Sequence, residues 1–293
     1  MAADGSGGAG LSGTTTAPAV DSGWLAARVA ADSAARATTL STLLPELSNY
    51  LIEVADHEGI LEIIDLGAGT GANQRWLAPR LPFRQRWIHL DHDPIISRLQ
   101  PLPNQTMIID GSVDSLALLL AGRKGGRWLV SCSALLDVLT TAQLDAVCRA
   151  LIDNQVPALF SLTVTGTLRV VPSDPADQIL LEAFNDHQRR GGRAGPEATS
   201  STITTLRTAG FTVHCQETPW RLTAASSQAF VEQVLRERLD AAVAQVPGLA
   251  PTAAAWLGLR TAQLALGVLR MNLGHIDILA LPGGDILALP GGL

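Results

Sequence analysis

The chain has 293 residues, of which 47% are hydrophobic and 16% are charged, with a mean hydropathy of +0.22 and a formal net charge of −6. This length and apolar content predict one large folded domain, or one domain with an added cap, rather than a disordered chain. The acidic balance argues against a nucleic-acid partner. Because Lys124 is the only lysine, the sequence cannot supply the Gly-Lys-Ser/Thr element of a P-loop.

The cysteines, and the charged residues within apolar stretches, indicate in which cellular compartment the protein is expected. The three cysteines, Cys132, Cys148 and Cys215, form no C-x-x-C pair, and the first residues lack the charged start and apolar run of a secretion signal. We therefore expect reduced thiols in a cytoplasmic protein. The most apolar stretch near the C-terminus is interrupted by Arg260 and Arg270. A membrane span tolerates such charges poorly, so we expect a buried helix there and no membrane partner.

The chain order predicts four regions. Residues 1–20, rich in Gly, Ser, Thr and Ala, form a disordered leader, and residues 21–59 form a helical cap. Residues 60–284 form the main domain. The sequence DILALPGG occurs at 277–284 and again at 285–292, so we expect the first copy to complete the sheet and residues 285–293 to be a repeated tail.

Predicted strands alternate with helices from residue 60 to about residue 166. The five strands lie, in order, within LEIIDLG, RQRWIHLDHD, TMIIDGS, GRWLVSCSALLD and PALFSLTVTG. Further helices follow around residues 170–200 and 225–272, with one strand in FTVHCQETPWRL and a last one in HIDILALP. This order predicts an α/β fold with a doubly wound, mostly parallel seven-stranded sheet, an N-terminal helical lid and extra C-terminal helices.

A glycine-rich turn follows the first strand, in IIDLGAGTGANQ, with Gly67, Gly69 and Gly71 at alternating positions. Such a turn suits any adenosine-type ligand, because the next helix offers free N–H groups and the missing side chains leave space. A dinucleotide fingerprint can also be fitted to Gly67, Gly69 and Ala72. However, Asp65 lies two residues before the first glycine, where its carboxylate would repel a pyrophosphate and attract a cationic group.

The pattern D-x-G-x-G-x-G resembles motif I of class I S-adenosylmethionine-dependent methyltransferases. The resemblance continues over about residues 60 to 165, through IHLDHDP after the second strand, IIDGS after the third and LVSCSALLDVL after the fourth. It implies S-adenosylmethionine as the cofactor. It also implies a set of donor-binding residues at the strand ends: Asp65, Gly67, Ala68, Gly69, Gly71, Asp91, His92, Asp110, Gly111, Ser112 and Ser131. In this resemblance Asp91 accepts hydrogen bonds from the ribose hydroxyls, and Asp110 accepts one from the adenine amino group.

Structural interpretations of the same residues stay open. Asp65 could buttress the glycine turn, and Asp93 could cap the helix that opens at Pro94. The run HLDHD also suggests a metal site. Strand alternation places His89 and His92 on opposite faces, so we expect no metal there.

The sequence indicates the residues that would contact the methyl acceptor less clearly than those that would bind the cofactor. Asp137, just past the fourth strand, and His187 are the candidate catalytic residues, since a base is needed where the acceptor must lose a proton. Arg189, Arg190 and Arg193 could hold a carboxylate or phosphate of the acceptor, or the run could be a solvated loop. The fourth strand lacks the Asn/Asp-Pro-Pro-Tyr/Phe element common among enzymes that methylate nucleic-acid bases.

The sequence thus favours a methyltransferase acting on a small molecule, with an anionic acceptor as one option and a homodimer as one open arrangement. Two alternatives remain: an NAD(P)-dependent oxidoreductase using the same turn, and a non-catalytic protein that binds S-adenosylmethionine as a partner or regulatory subunit. The single tyrosine, Tyr50, lies far from Lys124, which disfavours an oxidoreductase with a Tyr-x-x-x-Lys pair.

Overall fold

The computed structural model describes residues 22–54, 59–92, 106–121 and 127–283, with the side chains of residues 22–26 left out. The predicted leader at 1–20, the tail at 285–293, Asp93 and the helix predicted at PIISRL lie outside these ranges. The predicted domain boundaries stay predictions.

The described strands form one sheet, and the predicted doubly wound α/β fold is confirmed. The strands are β1 (Leu61–Leu66), β2 (Gln85–Asp91), β3 (Thr106–Asp110), β4 (Arg127–Ser133), β5 (Ala158–Val171), β6 (Thr212–Glu217), β7 (Trp220–Thr223) and β8 (Arg270–Leu281). Their order is β3-β2-β1-β4-β5-β8-β6, and β7 also pairs with β8. Strands β1 to β5 are mutually parallel, whereas β8 runs antiparallel to β5, β6 and β7.

The predicted strand count of seven is wrong, because FTVHCQETPWRL forms two strands and the described sheet has eight. The break falls at Thr218 and Pro219. Proline cannot donate a ladder hydrogen bond. The Thr218 N–H still donates to the His275 carbonyl, at 2.9 Å, and β7 then pairs with a different part of β8.

The helices of the described ranges are α1 (Ser22–Ala35), α2 (Leu43–Glu53), α3 (Ala72–Leu77), α4 (Leu116–Leu120), α5 (Thr141–Asn154), α6 (Ala176–Gln188), α7 (Ala198–Thr208), α8 (Gln228–Gln245) and α9 (Ala250–Ala265). Thr140 and Gln143 form a capping box before α5, in which two otherwise unpaired N–H groups find partners. None of these helices combines the length and the apolar composition that crossing a membrane requires.

Strand alternation gives the sheet two apolar faces. In β1, Ile63 packs with α2 and α3, whereas Ile64 packs with α4, α5 and α7. Helices α6, α8 and α9 enclose a further apolar cluster beside the long strands β5 and β8. Helices on both faces leave the carboxyl edge of the parallel strands as the accessible edge, and this edge carries the ligand sites of open α/β sheets.

Candidate active site

The glycine turn lies at the carboxyl edge of β1, between this strand and α3. Gly67, Gly69 and Gly71 have φ values of +59°, +52° and +77°, a region that residues with a side chain rarely adopt. A Cβ on Gly67 would lie 2.8 Å from Cδ1 of Leu135. The turn therefore needs glycine for its conformation, and at Gly67 also for a close approach to the loop after β4.

Asp91 lies beside this turn at the end of β2. Its Oδ2 accepts a hydrogen bond from the Gly69 N–H, at 2.7 Å, and its Oδ1 lies 3.5 Å from Nδ1 of the exposed His92. Asp110 is the register partner of Asp91 in β3, and the Gly111 N–H donates to the Asp91 carbonyl at 2.9 Å. The two predicted nucleoside-binding acids are thus neighbours at one edge. The next residue, Ser112, caps the turn that follows by accepting from the Asp114 N–H.

Asp65 lies beneath the glycines and is fully buried. Its Oδ1 accepts a hydrogen bond from Nδ2 of Asn73, at 2.7 Å, and its Oδ2 has no hydrogen-bond partner. Burial raises the pKa of Asp65 to about 7, although the Asn73 hydrogen bond and the Arg36 charge oppose that rise. A buried carboxylate oxygen without a donor is costly, so this atom is suited to a donor or cation supplied by a ligand.

Ser131 lies next to Asp65 rather than at the surface of the site. The two residues are register partners in β4 and β1, and Ser131 is fully buried. Its Oγ accepts from the same Asn73 Nδ2, at 2.8 Å. Ser131 thus orients Asn73, and Ser133, two residues later, lines a cavity. The predicted contact of Ser131 with a ligand stays a prediction.

A layer of buried polar side chains continues the apolar α2–α3 face of the sheet toward its carboxyl edge. Alternate positions are apolar deep in the sheet and polar near the edge, as in Ile63 then Asp65 and Leu159 then Ser161. The members of this polar layer are Asp65, His89, Ser131, Ser161 and Asp277. His89 has no partner on either ring nitrogen, and burial lowers its pKa to about 4.

Arg36, one residue after α1, joins this layer and was missed by the sequence analysis. It is 2% exposed, and it donates to Oδ1 of Asn73 at 3.0 Å and to Oγ of Ser161 at 2.9 Å. Its Nε lies 3.8 Å from Oδ2 of Asp277, and its guanidinium stacks 3.6 Å from the Trp76 ring centroid. Burial lowers the pKa of Arg36 to about 10, so it stays charged at neutral pH.

Helix α1 covers the carboxyl edge through one polar stripe. Arg28 and Asp32, one turn apart, form an ion pair at 2.9 Å. Asp32 also accepts from Nε1 of Trp220, at 3.0 Å, and Trp220 packs on the buried His275 with ring centroids 4.9 Å apart. Arg36 lies a further turn along the same face. Through Arg28, Asp32 and Arg36, this polar stripe therefore holds α1 in contact with both ends of the site.

A cavity of about 290 Å³ lies between α1 and α3, beside the glycine turn. Its lining combines the polar stripe of α1 with the start of α3 and the ends of β4 and β5: Val29, Asp32, Ser33, Arg36, Ala72, Asn73, Arg75, Trp76, Arg80, Ser133 and Leu162. A larger hollow of about 460 Å³ lies between α8 and α9. Its lining is mostly aliphatic, with Asp240 as the charged member. The smaller cavity has the convergent polar groups that a ligand site needs.

The candidate catalytic residues, Asp137 and His187, are not among the residues that line this cavity. Asp137 is 8% exposed, and its Oδ1 has no partner. Burial raises the pKa of Asp137 to about 6, opposed by backbone N–H groups and by Arg28 and Arg193. His187 lies on α6 with an unpartnered Nδ1, and burial and the charges of Arg190 and Arg193 lower its pKa. Arg193 is thus close enough to influence both candidates.

Two of the arginines predicted to hold an acceptor already have protein partners. Arg189 forms ion pairs with Asp186 and Glu197, and Arg190 donates to Gln245 Oε1 and to the Ala244 carbonyl. Both side chains are exposed and tie surface elements together. Among the three arginines, Arg193 has no hydrogen bond or ion pair from its side chain to the described residues.

The strand order decides the fold class. The first five strands are parallel in the order 3-2-1-4-5, and the last, antiparallel strand enters between the fifth and the sixth. The glycine turn and the acid after β2 lie where the chain direction across the sheet reverses. This is the doubly wound, mostly parallel sheet that the resemblance to class I methyltransferases implies.

Several solved structures are similar to this chain at low sequence identity and with TM-scores below 0.5. A cyclopropane synthase from Mycobacterium tuberculosis is 11% identical with a TM-score of 0.42, covering 80% of this chain and 83% of that one. The YcgJ protein from Bacillus subtilis is 12% identical with a TM-score of 0.45, covering 80% and 99%. A phosphoethanolamine N-methyltransferase from Haemonchus contortus, solved with S-adenosylhomocysteine, is 10% identical with a TM-score of 0.39, covering 82% and 53%. Likenesses at this level carry no information on substrate.

No family model and no curated protein matches the sequence. The test of the cofactor therefore rests on this chain's own residues. The glycine turn follows β1 directly, Asp65 offers an unpartnered oxygen, and the Asp91–Asp110 pair stands next to the turn. These residues fit S-adenosylmethionine, whose amino-acid end is a donor and a cation and whose nucleoside carries hydroxyls. In the ranges that the structure describes, no group of three or more His, Cys, Asp or Glu residues is placed to hold a metal.

Proposed function

We propose that this methyltransferase-fold protein transfers a methyl group from S-adenosylmethionine to a small-molecule acceptor. The observation that carries the proposal is the buried carboxylate of Asp65, with one oxygen held by Asn73 and the other without a partner, directly beneath the glycine turn. A pyrophosphate would add negative charge beside this carboxylate, whereas a ligand with a cationic end would neutralise it.

The proposed donor site divides into two parts. Asp91 and Asp110, with Gly111 and Ser112, would hold the nucleoside, because a carboxylate can accept two hydrogen bonds from neighbouring hydroxyls. Asp65 and the 290 Å³ cavity under α1 would hold the amino-acid end. In the present structure the Gly69 N–H occupies Oδ2 of Asp91, which keeps that carboxylate oriented toward the turn.

The chemistry asked of the protein is alignment and exclusion of water. When bound, S-adenosylmethionine supplies an electrophilic methyl group on a sulfonium. Helix α1 roofs the site through Arg28, Asp32 and Arg36, which keeps water from the reacting atoms. Asp137, whose pKa is raised to about 6, can accept a proton from the acceptor near neutral pH.

Calorimetric titration with S-adenosylhomocysteine, S-adenosylmethionine and NAD in parallel tests the proposal. We expect micromolar binding of the first two, on the order of 8 kcal/mol, and no binding of NAD. Asp91→Ala should weaken binding of S-adenosylhomocysteine by about 1.5–3 kcal/mol, the loss for a charged hydrogen bond. Asp153→Ala, which removes an exposed acid near the end of α5, is the matched control. Binding of NAD alone would refute the methyltransferase proposal.

A further inference from the structure

Strand β5 carries a bulge beside the cavity between α1 and α3. Its pairing with β8 shifts register between Phe160 and Thr163. As a result, Ser161 and Leu162 both lie opposite the single residue Asp277. The extra residue is accommodated at Leu162, whose φ of +54° lies in the left-handed region. A leucine rarely adopts this conformation, because its Cβ crowds the backbone there.

The bulge changes the direction of the Leu162 side chain. Along β5, Leu159 packs on the α2–α3 face of the sheet and Phe160 packs on the opposite face. Strict alternation would return Leu162 to the side of Phe160. Instead, Leu162 belongs with Ala35 of α1 to the apolar cluster beside β5 and β8, and it lines the 290 Å³ cavity. Bulges next to ligand sites often redirect a side chain in this way.

Three hydrogen bonds hold this backbone conformation. The Leu162 N–H donates to Oδ1 of Asp277, at 2.8 Å. Oγ of Ser161 accepts from Arg36 at 2.9 Å, and the Ser161 carbonyl accepts from the Ala134 N–H at 2.9 Å. Strained backbone persists only where its surroundings over-determine it, and it clusters at ligand sites. The buried pair of Arg36 and Asp277, which docks α1, therefore also fixes Leu162.

The cavity combines an apolar side with a polar side. Leu162 and Val29 are its larger aliphatic members, and Arg36, Asn73 and Ser133 are among its polar ones. Val29 is 49% exposed, whereas Leu162 is fully buried, so Leu162 forms the interior part of the apolar lining. An aliphatic chain that ends in polar groups matches this combination. The amino-acid end of S-adenosylmethionine is such a chain.

We propose that Leu162 is a specificity-determining residue, which contacts the aliphatic chain of the donor's amino-acid end and favours adenosine ligands that carry this chain over those that lack it. The identity of the ligand rests on the proposed methyl transfer; the strained, cavity-lining conformation of Leu162 does not. A nucleoside without the amino-acid end needs only the Asp91–Asp110 side of the site. Its binding should therefore not depend on Leu162.

Calorimetric titration with S-adenosylhomocysteine and methylthioadenosine tests the proposal, because the second ligand has the nucleoside and the sulfur but lacks the amino-acid group. Leu162→Phe, which adds volume at the cavity wall, should bind S-adenosylhomocysteine about tenfold more weakly or worse, with methylthioadenosine binding unchanged. Leu162→Ala should weaken only S-adenosylhomocysteine, by about fourfold, the value of one buried CH₂ contact. Leu168→Phe, at a partly buried position of β5 outside the cavity lining, is the matched control and should change neither affinity.

Thermal unfolding tests the conformation of Leu162 without a ligand. Glycine populates positive φ freely and alanine does not, so Leu162→Gly should have a higher Tm than Leu162→Ala. Leu159 is equally buried in β5 but has no positive φ, and there the glycine variant should have the lower Tm of the two. A lower Tm for Leu162→Gly than for Leu162→Ala would overturn the inference.

The titrations separate failure of this inference from failure of the proposed function. Equal weakening of both ligands by Leu162→Phe would overturn the inference, because Leu162 would then act on the whole site. Unchanged binding of S-adenosylhomocysteine by both Leu162→Phe and Leu162→Ala would overturn it as well. Absence of binding of either ligand to the wild type would instead refute the methyl-transfer proposal itself.

Discussion

The buried pair of Arg36 and Asp277 should be one of the strongest single contributors to the stability of this fold. We predict that Arg36→Met lowers the free energy of unfolding by about 3 kcal/mol, because it leaves Asp277 charged and buried without its cation. Asp277→Asn should lower the free energy of unfolding by a similar amount, because it leaves the Arg36 guanidinium without its carboxylate partner.

The magnitude follows from the geometry. At the 3.8 Å between Nε of Arg36 and Oδ2 of Asp277, the attraction at an effective dielectric constant of about 20 is about 4 kcal/mol. Asp277 keeps three other donors in Arg36→Met, namely Thr39 Oγ1 at 2.8 Å, the Leu162 N–H at 2.8 Å and Thr218 Oγ1 at 3.1 Å. These donors hold the loss at the lower end of the range for a broken buried pair, about 3–5 kcal/mol.

A double-mutant cycle by urea unfolding tests this reasoning. We expect the double variant Arg36→Met/Asp277→Asn to lose about 2 kcal/mol less than the sum of the two single losses, because each partner is then removed together with its counterpart. Arg86→Met, which breaks the more exposed pair with Glu62, is the control and should cost less than about 1 kcal/mol. Single losses that add to within about 0.5 kcal/mol would refute the pairing.

Three further outcomes follow from the site. The pKa of Asp65 is about 7 in the folded protein against an ordinary 3.8, so between these pH values the folded protein retains a proton that the unfolded chain releases. The free energy of unfolding of the wild type should therefore fall as pH rises from about 4 to 7. In urea unfolding at stepped pH, Asp65→Asn should not show this fall. Gly67→Ala should lower the free energy of unfolding by about 1–3 kcal/mol. The loss should exceed that of Gly191→Ala, because Gly191 has a φ of +69° but open space around it. Equal losses would show that the Leu135 side chain moves aside without cost. For Asp137, whose pKa is about 6, acceptor methylation should decline below about pH 6 and Asp137→Asn should lower kcat by about 10²-fold; an unchanged pH–rate profile would exclude it as the base.

The local part of the architecture could be predicted from the sequence. Alternating strands and helices, the glycine turn and the acids at the ends of β1, β2 and β3 are set within short windows, where periodicity and turn chemistry act directly. The split of β6 from β7 was missed although Pro219 marks it. A proline inside an apparent strand is a reason to end that strand.

The residues that the sequence analysis missed are those defined by distant partners. Arg36 acts through Asp277, which is remote in the chain, so no local pattern links them. The basic run alone does not reveal that Arg189 pairs with Glu197 and that Arg190 donates to Gln245.

The docking of α1 determines at which stage of folding the ligand site can form. The proposed donor site uses Asn73, which accepts a hydrogen bond from Arg36. The counter-charge of Arg36 is Asp277 in β8, the last of the described strands in chain order. Until β8 inserts between β5 and β6, the β5 edge of the sheet is open and Arg36 lacks its ion-pair partner. The proposed ligand site beneath α1 should therefore form only once β8 is in place, and removal of β8 should abolish ligand binding there.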